Sequence, residues 1–121
     1  MYDRTREAMQ LMEVIAEIDE PMVICGDFNG EPSEPLYNII LDEGFRSAYY
    51  GTDRDESEPE FTTYKYRESL ESKCIDYIFL RGAKVCSVLS LPKSDEIGPN
   101  GLPNHIFPSD HLSLVAKLRF N

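Results

Sequence analysis

Residues 21–25, PMVIC, form an apolar segment between two stretches of helical periodicity, and this arrangement constrains the fold most. In the preceding stretch, residues 3–19, apolar side chains recur at helical spacing: Ala8, Leu11, Met12, Ile15 and Ile18. After the loop GDFNGEPSEP, residues 34–44 are typical of a second helix, with Ser33 as its N-cap and Gly44 at its end. A strand that is apolar throughout is typical of a sheet covered on both faces.

Strands dominate the rest of the chain. FTTYKYR is β-prone, and KCIDYIFLRG and AKVCSVLSL predict two strands with a tight antiparallel connection at Arg81 and Gly82. Residues 51–60 form an acidic connector, PKSDEIGPNGLPNHIFP is a long loop, and HLSLVAKLRF is the last strand. The length fits a single domain over residues 1–121, of the α/β class, with a mixed, largely antiparallel sheet and flanking helices.

The charge and the cysteines limit the classes of function. With 22 acids and 12 bases the net charge is −10, which opposes extended, sequence-independent binding of nucleic acid by this chain alone, although the charge also serves solubility. An anionic substrate then requires a divalent cation or a local basic spot.

Three cysteines without metal-ligand spacing indicate reduced thiols and an intracellular protein, cytoplasmic or alternatively mitochondrial. No apolar run reaches the roughly 18 residues of a membrane span, so no membrane partner is expected.

Two apolar strands deliver carboxylates at or near loops. In VICGDFNGEP, Asp27 and Asn29 are two positions apart and would project to the same side of an extended chain. A carboxylate orients or deprotonates water and an amide donates to a phosphoryl oxygen; the structural alternative is an Asx turn. In CIDYIF, Asp76 stands among apolar residues and needs a partner, either structural (Arg81 or Lys73) or a histidine.

A third carboxylate lies at the start of the last predicted strand. Asp110 and His111 are adjacent, so in a strand they face opposite ways and meet different partners. In this interpretation His111 contacts a phosphate and forms a hydrogen bond with Asp76, while Asp110 faces a metal. The alternative is that Ser109 and Asp110 cap the start of the strand. His105 is expected to be an exposed loop residue.

A pair of basic residues alternates along the strand FTTYKYR. Lys65 and Arg67 are expected to point at one anion, with protective charges on an edge strand as the alternative.

The motifs GDFN, IDYIF and PSDHLSL, in this order, resemble the C-terminal half of the endonuclease/exonuclease/phosphatase superfamily of Mg²⁺-dependent phosphoesterases. TTYK, IGPN, LP and PSDH further resemble its nocturnin branch, which is related to the carbon catabolite repressor deadenylases. The resemblance covers nearly all of residues 5–120 and implies the C-terminal half of a four-layer α/β sandwich.

The resemblance implies a role for each matching residue. Asp27 positions or activates the attacking water, and Asn29 stabilises the phosphoryl transition state. Asp76 and His111 act as a pair with His111 on the scissile phosphate, and Asp110 lies near a Mg²⁺ ion, with Mn²⁺ as an alternative. Lys65 and Arg67 match positions that hold substrate phosphate in the nocturnin branch.

The resemblance also implies that a large part of the fold is absent. The first half of the family domain supplies an Asn, a metal-binding Glu and a second sheet, none of which is assigned here. A lone half exposes an apolar face, so the expected partner is the N-terminal half, a second copy or another polypeptide.

The function expected of the parent protein is Mg²⁺-dependent cleavage of an adenylate-containing phosphate. The substrates that the resemblance implies are the 3′ end of poly(A) RNA, as in a deadenylase, and the 2′-phosphate of NADP(H). The chain alone is expected to have weak or no activity. The alternatives are a non-catalytic protein-interaction domain derived from this fold and a sugar- or lipid-phosphate phosphatase.

Overall fold

The computed structural model describes residues 2–50 and 58–120. The helices are α1 (Tyr2–Ile15), α2 (Pro35–Asp42) and α3 (Ser94–Ile97). The strands are β1 (Met22–Asp27), β2 (Arg46–Ser47), β3 (Thr63–Tyr66), β4 (Leu70–Lys73), β5 (Asp76–Arg81), β6 (Ala83–Val88) and β7 (Ala116–Phe120). The predicted helix–strand–helix start is therefore present. Residues 51–57, most of the predicted acidic connector, lie outside the described residues.

One face of α1 packs into the core. Ala8, Met12 and Ile15 are buried, and their spacing places them on one side of the helix. Leu11 and Ile18 were predicted on the same face, but each is 38% exposed. Ile18 lies beyond the end of the helix at Ile15, which explains its exposure. The periodicity thus predicted the helix correctly and overestimated the width of its buried stripe.

The first turn of α2 differs from the prediction. Its N-cap is Glu34 rather than Ser33, and no side chain caps the helix. The Glu34 carboxylate instead accepts the backbone N–H of Glu31 at 2.7 Å and pairs with Arg4 of α1 at 2.8 Å. The pair joins the two helices. Gly44 follows the helix with a φ of 89°, as predicted for its C-terminal end.

The central sheet has the strand order β1-β5-β2, and both of its pairings are antiparallel. The named strands β3 and β4 pair in a second sheet and β6 and β7 in a third, again antiparallel, while a parallel bridge joins Lys65 to Leu102. The α/β class with largely antiparallel pairing is therefore confirmed. The strands are divided among three small sheets rather than lying in one.

The face of the central sheet beneath the helices carries an aromatic core. Tyr77 and Phe79 are 1% and 0% exposed and stack with ring centroids 4.8 Å apart. The Tyr77 hydroxyl lies 2.8 Å from the Gly30 carbonyl oxygen and 3.0 Å from that of Cys74. Because Gly30 lies in the loop after β1, this hydroxyl ties that loop to β5.

The opposite face of β1 is exposed. Val23 is 38% exposed and the Cys25 thiol is also exposed, whereas Met22 and Ile24 pack against the core beneath the helices. The prediction that both faces of this strand are covered is therefore wrong for the described residues, since helices cover one face alone. The resemblance to half of a four-layer sandwich predicted such an exposed apolar face.

The predicted hairpin at Arg81 and Gly82 is also wrong. β6 pairs with β7 rather than with β5. Gly82 alone separates β5 from β6, and a hairpin connection commonly needs two residues. Gly82 has a φ of 76°, and a Cβ atom there would lie 3.2 Å from the Cα atom of Pro21. The chain therefore turns sharply at Gly82 and passes into a different sheet.

Three other features of the secondary structure differ from the prediction. β4 was not predicted, because its four residues are exposed and polar apart from Leu70. The long loop contains α3 and buries Ile97 and Leu102, which are 6% and 5% exposed. The last strand begins at Ala116 rather than at His111.

The described residues also bear on the predicted surroundings of the protein. All three cysteines are free, as the sequence indicated. Across residues 2–50 and 58–120, no helix has both the length and the apolar character needed to cross a membrane. The intracellular location, cytoplasmic or mitochondrial, stays a prediction.

Candidate functional site

The register of the central sheet brings the first two carboxylates to one end. Asp27 is the last residue of β1, Asp76 is the first of β5, and the two are directly paired. Antiparallel partners that are opposite each other project to the same face of a sheet. Strand pairing between distant segments therefore places GDFN and IDYIF at a common site.

His111 reaches the same site from the third segment. Its Nδ1 atom lies 2.9 Å from Oδ2 and 3.1 Å from Oδ1 of Asp76. A carboxylate only accepts hydrogen bonds, so Nδ1 carries the proton and donates it, and Nε2 faces away from Asp76. The side chain of Asp76 is 13% exposed and that of His111 is 32% exposed. The partner of Asp76 is thus the histidine, not Arg81 or Lys73.

Backbone contacts hold His111 in place. Thr63 and His111 form an antiparallel bridge, and the N–H of Leu112 donates to the carbonyl oxygen of Thr62 at 2.8 Å. The Ser109 hydroxyl accepts the N–H of His111 at 3.1 Å. This is a contact within a local turn and not the strand cap that the sequence left as an alternative, because the last strand begins at Ala116.

The exposed side of the imidazole faces two more carboxylates. Nε2 lies 3.8 Å from Oδ2 of Asp27 and 3.9 Å from Oδ1 of Asp110. The expectation that Asp110 and His111 face opposite ways is wrong, because this segment makes isolated bridges and turns rather than a regular strand. Ligand atoms of Asp27, Asp76 and His111 all lie within 4.8 Å of one another.

The loop after β1 takes the form of an Asx turn. Oδ1 of Asp27 accepts the backbone N–H of Asn29 at 2.9 Å, and Asn29 has a positive φ of 54°. The chain is therefore not extended here, and the expectation that Asp27 and Asn29 project to the same side of an extended strand is wrong. Asp27 and Asn29 instead line a cleft of about 220 Å³ whose other wall includes Arg4 and Leu11 of α1.

The two basic residues are in different positions. Lys65 pairs with Asp110, with 3.2 Å between Nζ and Oδ2, and this hydrogen bond is the main reason that the pKa of Asp110 lies below its ordinary value. Arg67 follows the end of β3, in the exposed turn before β4. Within the described part of the chain its side chain makes no hydrogen bond or ion pair with the site residues. The structure thus joins Lys65 to the site and leaves Arg67 outside it.

Sequence reasoning missed a buried threonine at the site. Oγ1 of Thr62 lies 2.8 Å from Oδ2 of Asp76, on the side of the carboxylate away from solvent. A threonine in a β-prone segment gives no signal of such a contact. His105, by contrast, is exposed in its loop as expected.

The site concentrates negative charge around one imidazole. Asp27 and Asp110 keep side-chain exposures of 40% and 41% and are accessible to an ion or a substrate from solvent. Hard carboxylate oxygens are the ligands that Mg²⁺ prefers in proteins, so this donor set fits a divalent cation. An anion binding here without a cation would meet these carboxylates unscreened.

Comparison with known proteins identifies the family. The sequence profile of the Endonuclease/Exonuclease/phosphatase family matches residues 2–111. The chain is 44% identical to the nocturnin of Xenopus laevis over 107 residues, which cover 84% of this chain and 28% of that protein. It is 38% identical to the nocturnin of Homo sapiens over 127 residues, covering 97% of this chain and 30% of that protein. The chain thus spans less than a third of the length of these curated relatives.

A solved structure supports the same relationship. The human nocturnin catalytic domain with a bound sulfate anion superposes with a TM-score of 0.68 at 30% sequence identity. The alignment covers 98% of this chain and 40% of that domain. The fold is therefore the one of this family.

Proposed function

Because the chain belongs to the endonuclease/exonuclease/phosphatase family, we propose that it is the C-terminal half of the catalytic domain of a Mg²⁺-dependent phosphoesterase. The observation that carries this proposal is the meeting of Asp27, Asp76 and His111, whose ligand atoms lie within 4.8 Å of one another. These residues come from three segments far apart in the chain. Packing alone gives no reason to gather two carboxylates and an imidazole at a half-exposed position.

His111 is the group that meets the phosphate. Asp76 holds the proton on Nδ1 and stabilises positive charge on the ring, so that Nε2 is directed at the exposed side of the site. A proton on Nε2 is there donated to a phosphoryl oxygen and offsets the charge that develops as the phosphorus–oxygen bond breaks. Its neighbour Asp110 is held by Lys65 and stays ionised.

Asp27 acts on the attacking water. Its Oδ1 atom is engaged by the N–H of Asn29, while Oδ2 lies 3.8 Å from Nε2 of His111 and is accessible to solvent. A water bound at Oδ2 is oriented, and its proton removed, on the side of the site next to the phosphate. The exposed amide of Asn29 supplies a neutral donor to the transition state.

The donor set fits a divalent cation, Mg²⁺ or Mn²⁺, near Asp110 and Asp27. When bound, such an ion neutralises the phosphate and polarises the bond that breaks. The Glu that the family uses as a principal metal ligand belongs to the first half of the domain. We therefore expect weak metal affinity and little or no turnover from this chain alone.

The substrate proposed is an adenylate-containing phosphate. Lys65, 3.2 Å from Asp110, is a basic group at the site, and the net charge of −10 disfavours a long polyanion on this half of the domain. This favours a compact ligand such as NADP(H), cleaved at its 2′-phosphate. The 3′ end of poly(A) RNA is the second candidate, since the missing half can supply a basic surface. Arg67 contributes to either substrate if the β3–β4 turn closes over the site.

The non-catalytic alternative is not favoured. An interaction domain would use the exposed face around Val23 and Cys25 and would not need the three site residues to meet. In that case Asp27→Ala and His111→Ala would leave the binding of a partner intact.

The test is complementation. The purified chain is assayed with Mg²⁺ for phosphate release from NADP⁺ and for shortening of oligo(A), alone and mixed with the N-terminal half of a nocturnin catalytic domain. We expect activity in the mixture and its loss with Asp27→Asn. Activity of the chain alone near that of intact family members would contradict the half-domain proposal.

Metal binding gives a test that does not need activity. Titration of the ¹⁵N-labelled chain with Mg²⁺ should shift amide signals at Asp27, Asp110 and His111. The exposed acids Asp95 and Glu96 of α3 serve as internal controls. Equal shifts at both places would mean non-specific screening and would count against the proposed site.

A further inference from the structure

Thr62 lies behind the Asp76–His111 pair and uses its whole hydrogen-bonding capacity there. The residue is 0% exposed. Its Oγ1 atom accepts the backbone N–H groups of Ile75 at 3.1 Å and Asp76 at 3.2 Å. A hydroxyl has one proton and two acceptor lone pairs, so the two amides occupy the lone pairs and leave the proton. The strongest acceptor in reach is Oδ2 of Asp76 at 2.8 Å, since the carbonyl oxygen of Lys73 is 3.4 Å away.

We propose that Thr62 is a positioning residue that holds the Asp76 carboxylate toward His111. Its hydroxyl and the Nδ1 atom of His111 converge on the same oxygen, Oδ2, at 2.8 and 2.9 Å. Two donors on one oxygen fix the orientation of the carboxylate. The catalytic consequence rests on the function proposed above, but the contact itself does not.

The backbone of Thr62 reinforces this role. Its N–H donates to the carbonyl oxygen of Lys73 at 2.7 Å, three residues before Asp76. Its carbonyl oxygen accepts the N–H of Leu112 at 2.8 Å, next to His111. Thr62 therefore contacts both segments that carry the pair, which are 35 positions apart in sequence.

The neighbouring threonine provides a matched control. Thr63 is also buried, at 3% exposure, but among the residues that the structure describes its hydroxyl contacts only the carbonyl oxygen of Lys73, at 3.4 Å. The replacement of threonine by valine at either position removes a hydroxyl from a buried side chain of the same shape. Thr62→Val and Thr63→Val thus differ in the contact with the Asp76 carboxylate and in the backbone N–H groups of Ile75 and Asp76, which the Thr62 hydroxyl accepts; Thr62→Ser keeps all of these contacts.

The readout is the tautomer of His111, measured by ¹⁵N NMR of the imidazole at a single pH where the ring is neutral. In the unmodified chain we expect the proton on Nδ1, where Asp76 accepts it. Thr62→Val should move a large part of the population to the Nε2–H tautomer, toward the spectrum of Asp76→Ala. Thr63→Val and Thr62→Ser should keep the proton on Nδ1.

Each outcome bears on the proposal. Retention of the Nδ1–H tautomer in a folded Thr62→Val chain overturns it, as does an equal change in Thr63→Val. If Thr62→Val does not fold, Thr62→Ala and Thr62→Ser replace it, because both lose the methyl group and only the alanine loses the hydroxyl. Equal tautomers in those two variants likewise overturn the proposal.

The same measurement separates this proposal from the proposed function. The tautomer is read without metal or substrate, so a failure of phosphoesterase activity leaves it unaffected. In an active complemented domain, Thr62→Val should lower kcat on the order of 10-fold with KM nearly unchanged, and Thr62→Ser should restore it. A change in KM alone would indicate a different role.

Discussion

At the scale of single residues, the site depends on which atoms of each side chain are already engaged. Nδ1 of His111 is engaged by Asp76 and Oδ1 of Asp27 by Asn29, so Nε2 and Oδ2 are the atoms that face each other, 3.8 Å apart. The site is thus polarised before any ligand arrives. The sequence motifs predict which residues form the site, whereas their contacts in the fold decide which atoms of each side chain remain available to a ligand.

Replacement of the proposed base tests this arrangement. In the complemented domain, Asp27→Asn keeps the shape of the side chain but removes the charge, so turnover should fall by about 10²–10⁴. The measurement is kcat for phosphate release with NADP⁺. Asp95→Asn, which changes an exposed acid of α3, is the control and should leave kcat unchanged. Equal rates in both variants would rule out Asp27 as the base.

The buried thiol of Cys74 should make the free energy of unfolding depend on pH under alkaline conditions. Burial raises the pKa of Cys74 from 9.0 to about 12, and burial also raises the pKa values of Tyr37 and Tyr77. Above pH 9 the unfolded chain loses a proton that the folded chain keeps, so the free energy of unfolding decreases as pH rises toward 12. Each such group contributes a slope of about 1.4 kcal/mol per pH unit.

Urea unfolding at several values between pH 8 and pH 11 measures this slope. Cys74→Ala should give a shallower decrease than the unmodified chain, although it starts from a lower stability because it leaves a cavity. Cys25→Ala, which removes an exposed thiol, is the control for the loss of a cysteine side chain. Parallel curves for all three proteins would mean that Cys74 does not titrate on unfolding in this range.

At the scale of elements, the decisive feature is the change of sheet at Gly82. The segments KCIDYIFLRG and AKVCSVLSL on either side of it predicted two strands correctly and their pairing wrongly, because pairing depends on the connection and on the position of β7. Arg81 contributes to the difference. Its guanidinium donates to the carbonyl oxygens of Ile15 and Ile18 near the end of α1 and to that of Glu43. This holds β5 against the helices while β6 turns away.

Gly82→Ala tests this turn. Its φ of 76° is costly for a residue with a Cβ atom, and that atom would also press against Pro21 at 3.2 Å. The strain of a left-handed conformation alone costs about 1–2 kcal/mol. Gly44→Ala is the control, since Gly44 also has a positive φ, of 89°, and the added carbon would meet only the side chain of Arg81, at 3.3 Å.

The comparison is made by chemical unfolding of the two variants. Gly82→Ala should lower the free energy of unfolding more than Gly44→Ala does, because the added carbon meets the backbone of Pro21 at Gly82 and a flexible side chain at Gly44. Equal losses would show that Pro21 moves aside without cost.

At the scale of the whole molecule, the central sheet has one face under the helices and a second face that is open at β1, whereas Leu80 of β5 on that second face is buried against β6 and β7. The helices cover Tyr77 and Phe79, while Val23 and Cys25 on the other side of the sheet remain accessible. The chain aligns with less than a third of the length of each nocturnin relative. The site lies at the edge of this open face, so a partner bound there would also contact the site.

A charge introduced at Val23 on the open face tests which partner binds this face. Val23→Glu should weaken association with the N-terminal half of a nocturnin catalytic domain, measured by sedimentation of the mixture, because it buries an unpaired charge. Val14→Glu, at a 67% exposed position of α1, should have no such effect. If the unmodified chain sediments as a dimer that Val23→Glu dissociates, the covering layer is a second copy.

The family, the α/β class and the identities of the acids and the histidine were all readable from the sequence. They depend on local patterns: apolar periodicity, GDFN, IDYIF and SDH. Contacts between distant segments decided the rest, namely the side of His111 that faces Asp27, the approach of Asp110 to the same ring, the position of Arg67 outside the site and the contact of Thr62 with Asp76. Local patterns fix the direction of a side chain only within a regular strand. Outside one, it is set by the partners that folding brings near.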